Sequence, residues 1–487
     1  MSHRLLALML AIALCISCLA PPAFAENAEE EENKWVDPQL DPNAIPWDET
    51  RPELLEEDML IARSAILIEA TTGEVLFEKN ADEIMFPAST TKILTAYIAL
   101  QMADFENDVV TVSQNALDLV PSGYSKVPLS AGESVAIDDM VAAMMVMSGN
   151  EAANALAEFL SGSIDSFADL MNETAQMLGC SGDTHFANPS GAHEETHYAT
   201  ARDMAIIAQA AMQDKRLREI AAMYQYDMPA SNVRPARTLV GGTSILKPED
   251  KYFYKDATGL KTGFTNPAGY CYVGTATRGG IELISVVFYT SRSGRWTDTK
   301  KLLEYGFTQV ESISPESLYA ESPRVVDVAG FSLDDSNHGE LTLGIRAIDE
   351  SKNMIIVGNK EKIDLLRENF NEVSVVKWNQ KVVRAPVNVG DVLGILTFYA
   401  ENGSTADYEL VATRSVAARE DAPPSLEEII AYTYADENPW PRFTWDLLIP
   451  PATLLFLLML LRRFIRRHRS TRAKAPDIKP VKKRYVR

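Results

Sequence analysis

The stretch Phe86-Pro87-Ala88-Ser89-Thr90-Thr91-Lys92-Ile93-Leu94-Thr95-Ala96-Tyr97-Ile98-Ala99-Leu100 holds a contradiction. On a 3.6-residue repeat, Ser89, Lys92, Ile93, Ala96, Tyr97 and Leu100 share one face. That face is apolar except at its start, where a hydroxyl and an amine stand one turn apart. Pro87 and the small polar residues after it place the helix start close to Ser89. A lysine where the pattern calls for a leucine invites a chemical reading. A serine hydroxyl is a poor nucleophile until a base takes its proton. An amine three residues on can reach it, but serves as that base only when neutral. Moving a lysine pKa from about 10.4 to near 7 takes roughly 4–5 kcal/mol, from burial and another cation nearby.

Ser-x-x-Lys recurs at Ser244–Lys247 and Ser374–Lys377, so one copy decides nothing. Two further elements give it weight. Ser148 and Asn150 sit in a polar break between two apolar helical patterns, in Met144-Met145-Val146-Met147-Ser148-Gly149-Asn150-Glu151-Ala152-Ala153. Ser-x-Asn also occurs at Ser113–Asn115 and Ser351–Asn353 and is weak alone. Lys261-Thr262-Gly263 occurs once, inside Ala257-Thr258-Gly259-Leu260-Lys261-Thr262-Gly263-Phe264-Thr265. The order S-x-x-K, S-x-N, K-T-G, at separations of 59 and 113 residues, is the signature of active-site serine penicillin-recognising enzymes.

Around these motifs the pattern predicts a mixed α/β region from about Met59. Strands are expected at Ile61–Glu69 and Gly73–Glu78, then at 258–263, 269–277 and 281–289. Helical periodicity covers 90–103, 137–146, 151–160, 166–178 and 200–213, with a last helix near 295–306. Strands at both ends with helices between imply one sheet carrying an inserted helical lobe. After Pro315 the texture changes to short β runs, at Arg324–Val328, Glu340–Ile345, Met354–Val357, Glu372–Lys377, Val392–Tyr399 and Tyr408–Ala412. These read as a small all-β module with little helix.

At 487 residues and 46% hydrophobic, the chain has room for two or three domains with sizeable cores. Both ends read as membrane-related. Arg4, the apolar run Leu5–Leu14 and Ala23-Phe24-Ala25 form a secretory signal over residues 1–25. The residues before Cys15 and Cys18 fit a lipid attachment site poorly. Near the other end, Phe443 to Ile465 reaches spanning length, with Trp440 and Trp445 at one interface and arginines at the other. Pro450-Pro451 disturbs its first turn, and no polar stripe marks it as an interfacial helix. Residues 462–487 hold 12 Lys/Arg and one acid, so the tail is expected on the cytoplasmic side. Without that tail and Arg4 there remain 33 basic and 67 acidic residues, a net −34 outside the cell membrane. Such a surface argues against nucleic acid as a partner. The expected division is 1–25 signal, 26–56 acidic flexible linker, 57–312 catalytic domain, 318–415 β domain, 416–442 linker, 443–465 membrane span and 466–487 tail. Cys180 and Cys271, left after signal removal, make no disulfide framework, and their bonding stays open.

Taken together, the chain resembles the low-molecular-mass penicillin-binding proteins that act as D-alanyl-D-alanine carboxypeptidases. The likeness covers about 57–310 and extends to Asn188-Pro189-Ser190-Gly191, Tyr198-Ala199-Thr200-Ala201-Arg202-Asp203 and Ala268-Gly269-Tyr270-Cys271. It continues more loosely into the β module at Ala385-Pro386-Val387 and Gly390-Asp391. The resemblance implies a β-lactamase/transpeptidase-like catalytic domain, an antiparallel sheet with a helical lobe, plus a C-terminal all-β domain. It implies peptidoglycan stem peptide as substrate, β-lactam antibiotics as inhibitors, and no cofactor. Residue by residue, Ser89 would be the nucleophile and Lys92 its base, while Ser148 would relay a proton to the leaving D-alanine. Asn150 would hold the substrate amide and orient Lys92; Lys261, Thr262 and Arg295 would bind the terminal carboxylate. The backbone N–H groups of Ser89 and Phe264 would form the oxyanion hole, and Gly263 would let substrate backbone lie close. Many relatives end in an amphipathic surface helix, whereas this chain is expected to span the membrane.

His193-Glu194-Glu195-Thr196-His197 matches the zinc-protease pattern H-E-x-x-H letter for letter. That chemistry needs a helix to bring both imidazoles together. Here the motif falls between Gly191 and the helix cap expected at Thr200, so a loop without metal is expected. A β-lactamase shares the three motifs, but the E-x-x-L-N sequence of one class is absent between Asn150 and Lys261. A DD-endopeptidase would use the same residues for the same acylation step. An inactive peptidoglycan-binding scaffold is the competing reading from outside enzymology, and the full set of acylation residues argues against it.

Overall fold

A computed structural model describes residues 35–42, 44–349, 354–370, 372–400, 403–420, 426–427 and 458–463. The expected signal peptide, the tail 466–487 and most of the span 443–465 lie outside these residues. The part of the span that is described, 458–463, is helical. Among the described residues no helix is long and apolar enough to cross a membrane.

The chain divides into two compact units. The first runs to Glu321 and takes in Glu350–Ser374 and Phe398–Ala406. Its frame is a five-stranded antiparallel sheet of β1 (Ser64–Glu69), β2 (Val75–Lys79), β3 (Ala257–Thr265), β4 (Gly269–Arg278) and β5 (Ile281–Thr290), in the order β2-β1-β5-β4-β3. Strand β1 is buried along its whole length because both faces are covered. Its alternation sends Ile66 and Ile68 into the core beneath the helical lobe. Ala65 and Leu67 enter a second core, with Trp296, Leu302 and Leu303. The chain thus enters the sheet one strand in from its β2 edge, leaves it at Lys79 and returns at Ala257 to complete it.

The lobe comprises α1 (Lys92–Met102), α2 (Ile137–Met147), α3 (Asn150–Ser161), α4 (Ile164–Leu178) and α5 (Ala201–Ala211); α6 (Gly294–Gln309) covers the opposite face of the sheet. Local signals set the boundaries. Thr200 caps α5 by accepting the Asp203 N–H at 3.0 Å, and Ser163 caps α4. Helix α1 departs from the single apolar face expected of it. Leu94, Thr95, Ile98 and Ala99 are buried as well, while Tyr97 and Leu100 are only partly so. It is a central helix enclosed on nearly all sides, which is why its lysine is cut off from water.

The second unit is framed by β6 (Val325–Asp327), β7 (Glu340–Ala347), β8 (Ser374–Trp378), β9 (Val392–Tyr399) and β10 (Thr405–Ala412), ordered β6-β7-β10-β9-β8. Two expectations for the β module fail, both within the stretch Glu350–Ser374 that belongs to the first unit. Ile356–Gly358 lies outside this sheet and pairs with Glu311–Ile313. Lys360–Glu368 is a helix, capped by the Asn359 side chain on the Lys362 N–H at 2.9 Å, where β texture with little helix was expected.

Candidate active site

The three motifs converge on one cleft of about 550 Å³, lined among others by Ser89, Ser148, Asn150, Thr262, Gly263, Phe264 and Arg295. Each arrives on a different element. Ser89 sits in a single 3-10 turn, Ala88–Thr91, that leads straight into α1, of which Lys92 is the first residue. Ser148 ends α2 in the left-handed conformation, φ 58° and ψ 35°, and Asn150 opens α3. Lys261 to Phe264 lie on β3, an outer strand of the sheet, and Arg295 lies in the first turn of α6.

The contradiction in the opening stretch is a site. Lys92 is wholly buried. Its Nζ lies 3.0 Å from Ser89 Oγ, 2.9 Å from Asn150 Oδ1 and 2.5 Å from the Ser190 carbonyl oxygen. The last two can only accept hydrogen bonds. A neutral amine has two N–H bonds for them and one lone pair left, which faces the serine hydroxyl. Burial holds the Lys92 amine well below the ordinary lysine value; the charge of Lys261 pushes the same way, and Glu151 only partly offsets this. Lys261 is itself buried and brought down to about 7, by burial and then by Arg295. Its Nζ donates to the Thr262 carbonyl at 3.1 Å. Arg295 lies with its guanidinium 4.8 Å from the centre of the Tyr270 ring, and its buried Nε meets no hydrogen-bond partner among the described residues. Two cationic side chains, the buried Lys261 and the partly buried Arg295, thus stand at one end of the cleft. They can receive a carboxylate while keeping the base uncharged.

Asn150 is fixed from the other side, its Nδ2 donating to the Ser125 carbonyl at 2.8 Å. Gly263 has a packing role beside the one the sequence suggested. A Cβ there would stand 2.9 Å from the Pro87 oxygen and 3.1 Å from the Ser89 nitrogen, so the nucleophile turn itself fills the space on that side of the strand. The bare residue lets β3 close against the nucleophile turn.

Several contributors were assigned no role from the sequence. Ser190 acts through its carbonyl, and Asn188 shapes that loop by accepting the Gly191 N–H at 2.8 Å. Residues Ser122 to Ser125 and His193 line the cleft as well. His197, noted only as part of a motif, lies 2.8 Å by its Nε2 from Thr91 Oγ1, while its Nδ1 accepts the Ala187 N–H. The Nε2–H therefore donates to Thr91. Burial and nearby positive groups lower His197 to about 3, so it stays neutral. The H-E-x-x-H stretch is irregular loop, and both nitrogens of its second histidine are engaged within the protein. Among the described residues no group of three or more His, Cys, Asp or Glu is gathered as metal ligands would be. Cys180 and Cys271 are both free; Cys271 is buried on β4, its thiol pushed up to about 12 by burial.

A serine hydroxyl within hydrogen-bond reach of a buried amine held well below its ordinary value, beside a cationic pocket, is an arrangement suited to an active-site serine hydrolase. The D-alanyl-D-alanine carboxypeptidase model of peptidase family S11 matches residues 52–291. The chain is 32% identical over 368 residues to D-alanyl-D-alanine carboxypeptidase DacF of Bacillus subtilis (strain 168), covering 74% of this chain and 85% of the relative. It is 34% identical over 374 residues to D-alanyl-D-alanine carboxypeptidase DacC of Escherichia coli (strain K12), covering 75% and 86%. Among solved structures, the Streptomyces K15 DD-transpeptidase matches at 29% identity with a TM-score of 0.48, covering 52% of this chain and 100% of that one. The chain belongs to the D-alanyl-D-alanine carboxypeptidase family of low-molecular-mass penicillin-binding proteins and is a serine-type hydrolase.

Proposed function

We propose that the protein removes the terminal D-alanine from peptidoglycan stem pentapeptides through an acyl-enzyme on Ser89. Lys92, neutral, takes the Ser89 proton as Oγ attacks the carbonyl of the penultimate D-alanine. The tetrahedral oxyanion is met by the backbone N–H groups of Ser89 and Phe264. Ser148 passes a proton to the departing amine. Asn150 holds the peptide amide, and Lys261, Thr262 and Arg295 bind the terminal carboxylate. Water then hydrolyses the ester, releasing the shortened peptide. A β-lactam ring takes the same path and stalls as the acyl-enzyme.

The reading is carried by one observation, the 3.0 Å approach of a buried Lys92 Nζ to Ser89 Oγ, with the buried Lys261 held near enough to depress it further. The names of the relatives support the substrate. The same proposal places the catalytic unit outside the cell membrane, exported by residues 1–25 and anchored by a span over 443–465, with residues 466–487 in the cytoplasm. Hydropathy and the charge asymmetry of the C-terminus support this orientation.

The test measures free D-alanine from pentapeptide together with intact mass after benzylpenicillin. The expected result is D-alanine release and one covalent adduct, both lost in Ser89→Ala. An adduct that persists on Ser89→Ala sinks the assignment.

A further inference from the structure

The expected acidic linker 26–56 contains Trp35, and that residue is docked rather than free. Its indole stands edge-on to three rings, with centroids 6.1 Å from Phe264, 6.2 Å from Tyr270 and 5.2 Å from Tyr289. The indole also rests on Gly269, where φ is +64° and a Cβ would approach the ring to 2.5 Å. Asp37 completes the contact. Its Oδ1 accepts the Trp35 Nε1–H at 2.7 Å and the Arg292 backbone N–H at 3.0 Å. One three-residue stretch therefore grips two separate parts of the catalytic unit, the β3–β4 hairpin and the turn between β5 and α6.

Those two parts carry the cationic end of the cleft. Phe264 follows Lys261-Thr262-Gly263 and lines the cleft, with its ring 4.4 Å from that of Tyr270. Tyr270 in turn supports the Arg295 guanidinium at 4.8 Å. Arg295 lies three residues beyond Arg292, whose N–H is held by Asp37. We propose that Trp35 and Asp37 are positioning residues for the carboxylate-binding side of the site. Trp35 holds Phe264 and Tyr270, and through Tyr270 it sets where Arg295 waits for the substrate's terminal carboxylate. Asp37 fixes the turn from which Arg295 projects. Interlocked aromatic edges suit this task because they restrict ring orientation as well as bury area. The inference rests on the carboxypeptidase reading of the cleft.

The experiment uses the full chain purified in detergent, as parent, Trp35→Ala, Trp35→Phe and Asp37→Ala. Two acyl donors are compared: a diacylated lysyl-D-alanyl-D-alanine, and the matching D-alanyl ester whose leaving group has no carboxylate. For Trp35→Ala we expect KM for the peptide to rise about tenfold with kcat within about twofold, the size of a few aromatic contacts. The ester should be turned over nearly as by the parent. Trp35→Phe, which keeps a ring on Gly269, should recover most of the loss, and Asp37→Ala should shift KM the same way by a smaller factor. An unchanged peptide KM in Trp35→Ala overturns the proposal. So does a loss shared equally by peptide and ester together with a lowered melting temperature, since that marks a structural role alone. A parent protein that releases no D-alanine from the peptide sinks the carboxypeptidase reading first, and the two failures are distinguishable.

Discussion

Asn150 Oδ1 lies 2.9 Å from Lys92 Nζ while its Nδ2 donates to the Ser125 carbonyl, so the amide is clamped with its acceptor toward the base. Asn150→Asp keeps the shape but sets a carboxylate against the amine. An adjacent anion favours the ammonium form and raises a lysine pKa by about 1–3 units. Penicillin acylation at pH 7 should fall at least about tenfold and recover in part at pH 9, where the amine again loses its proton. Stopped-flow acylation across pH 5–10 checks this. A loss that is flat with pH would mean that Asn150 acts by substrate contact alone.

The same logic gives the sign for Lys261. Its charge helps to depress Lys92, although burial is the larger cause. In Lys261→Gln the acidic limb of kcat/KM should therefore move to higher pH, by less than in Asn150→Asp, because burial remains. The KM for carboxylate-bearing peptide should rise as well. In the parent, Lys261 sits at about 7, so in the free enzyme carboxylate binding should begin to weaken above that pH as this amine loses its charge. Rate profiles for parent and variant, measured as kcat/KM, read both limbs.

Gly263 has backbone on the side where a side chain would grow. Gly263→Ala cannot be relieved by a rotamer change, since the Pro87 oxygen and Ser89 nitrogen belong to the nucleophile turn itself. A shift of a few tenths of an ångström between β3 and Ser89 should slow acylation by roughly 10- to 100-fold. The stability cost should stay near 1–3 kcal/mol. Parallel acylation rates and denaturant melts separate the two effects.

What the sequence disclosed follows from where the chemistry is written. The roles proposed for Ser89, Lys92, Ser148, Asn150, Lys261 and Arg295 are side-chain roles, and the structure brings all six to one cleft or immediately behind its walls. Strands such as β1 were legible from their continuous apolar run, and the cap at Thr200 from its residue type. The Ser190 carbonyl was invisible because an acceptor on the backbone leaves no trace in residue identity. The docking of Trp35 was hidden because its partners lie more than 220 residues away, in a segment whose composition says only acidic and proline-rich. The helix Lys360–Glu368 was missed because two turns with one fully buried residue give a weak period among short β runs.

The H-E-x-x-H stretch yields a metal-removal prediction. His197 uses both ring nitrogens within the protein, and His193 stands edge-on to Phe86 with centroids 4.7 Å apart. Incubation with EDTA or phenanthroline followed by gel filtration should leave D-alanine release within about 20% of the untreated protein, since no step of the proposed mechanism uses a metal ion. Activity that vanishes and returns with zinc would revive the metalloprotease reading.

Glu133 supplies a stability prediction independent of the catalytic cleft. Its carboxylate is fully buried, 2.8 Å from Arg237 Nη2, 2.9 Å from Ser231 Oγ and 3.0 Å from the Ser130 N–H. It ties the loop before α2 to the ribbon formed by Gln225–Met228 and Arg237–Val240. Glu133→Ala leaves Arg237, with 14% of its side chain exposed, short of its counter-charge. The expected cost is roughly 2–4 kcal/mol, below the full value for a deeply buried pair because the arginine keeps some access to water. Replacing Arg237 by Leu as well should restore part of this, because the more buried of the two arginines facing Glu133 is then uncharged, while Arg234, 3.6 Å from the carboxylate, is the more exposed one. Denaturant melts of both single variants and the double variant measure the coupling. Strictly additive losses would mean that the two side chains contribute through separate contacts and not as a pair.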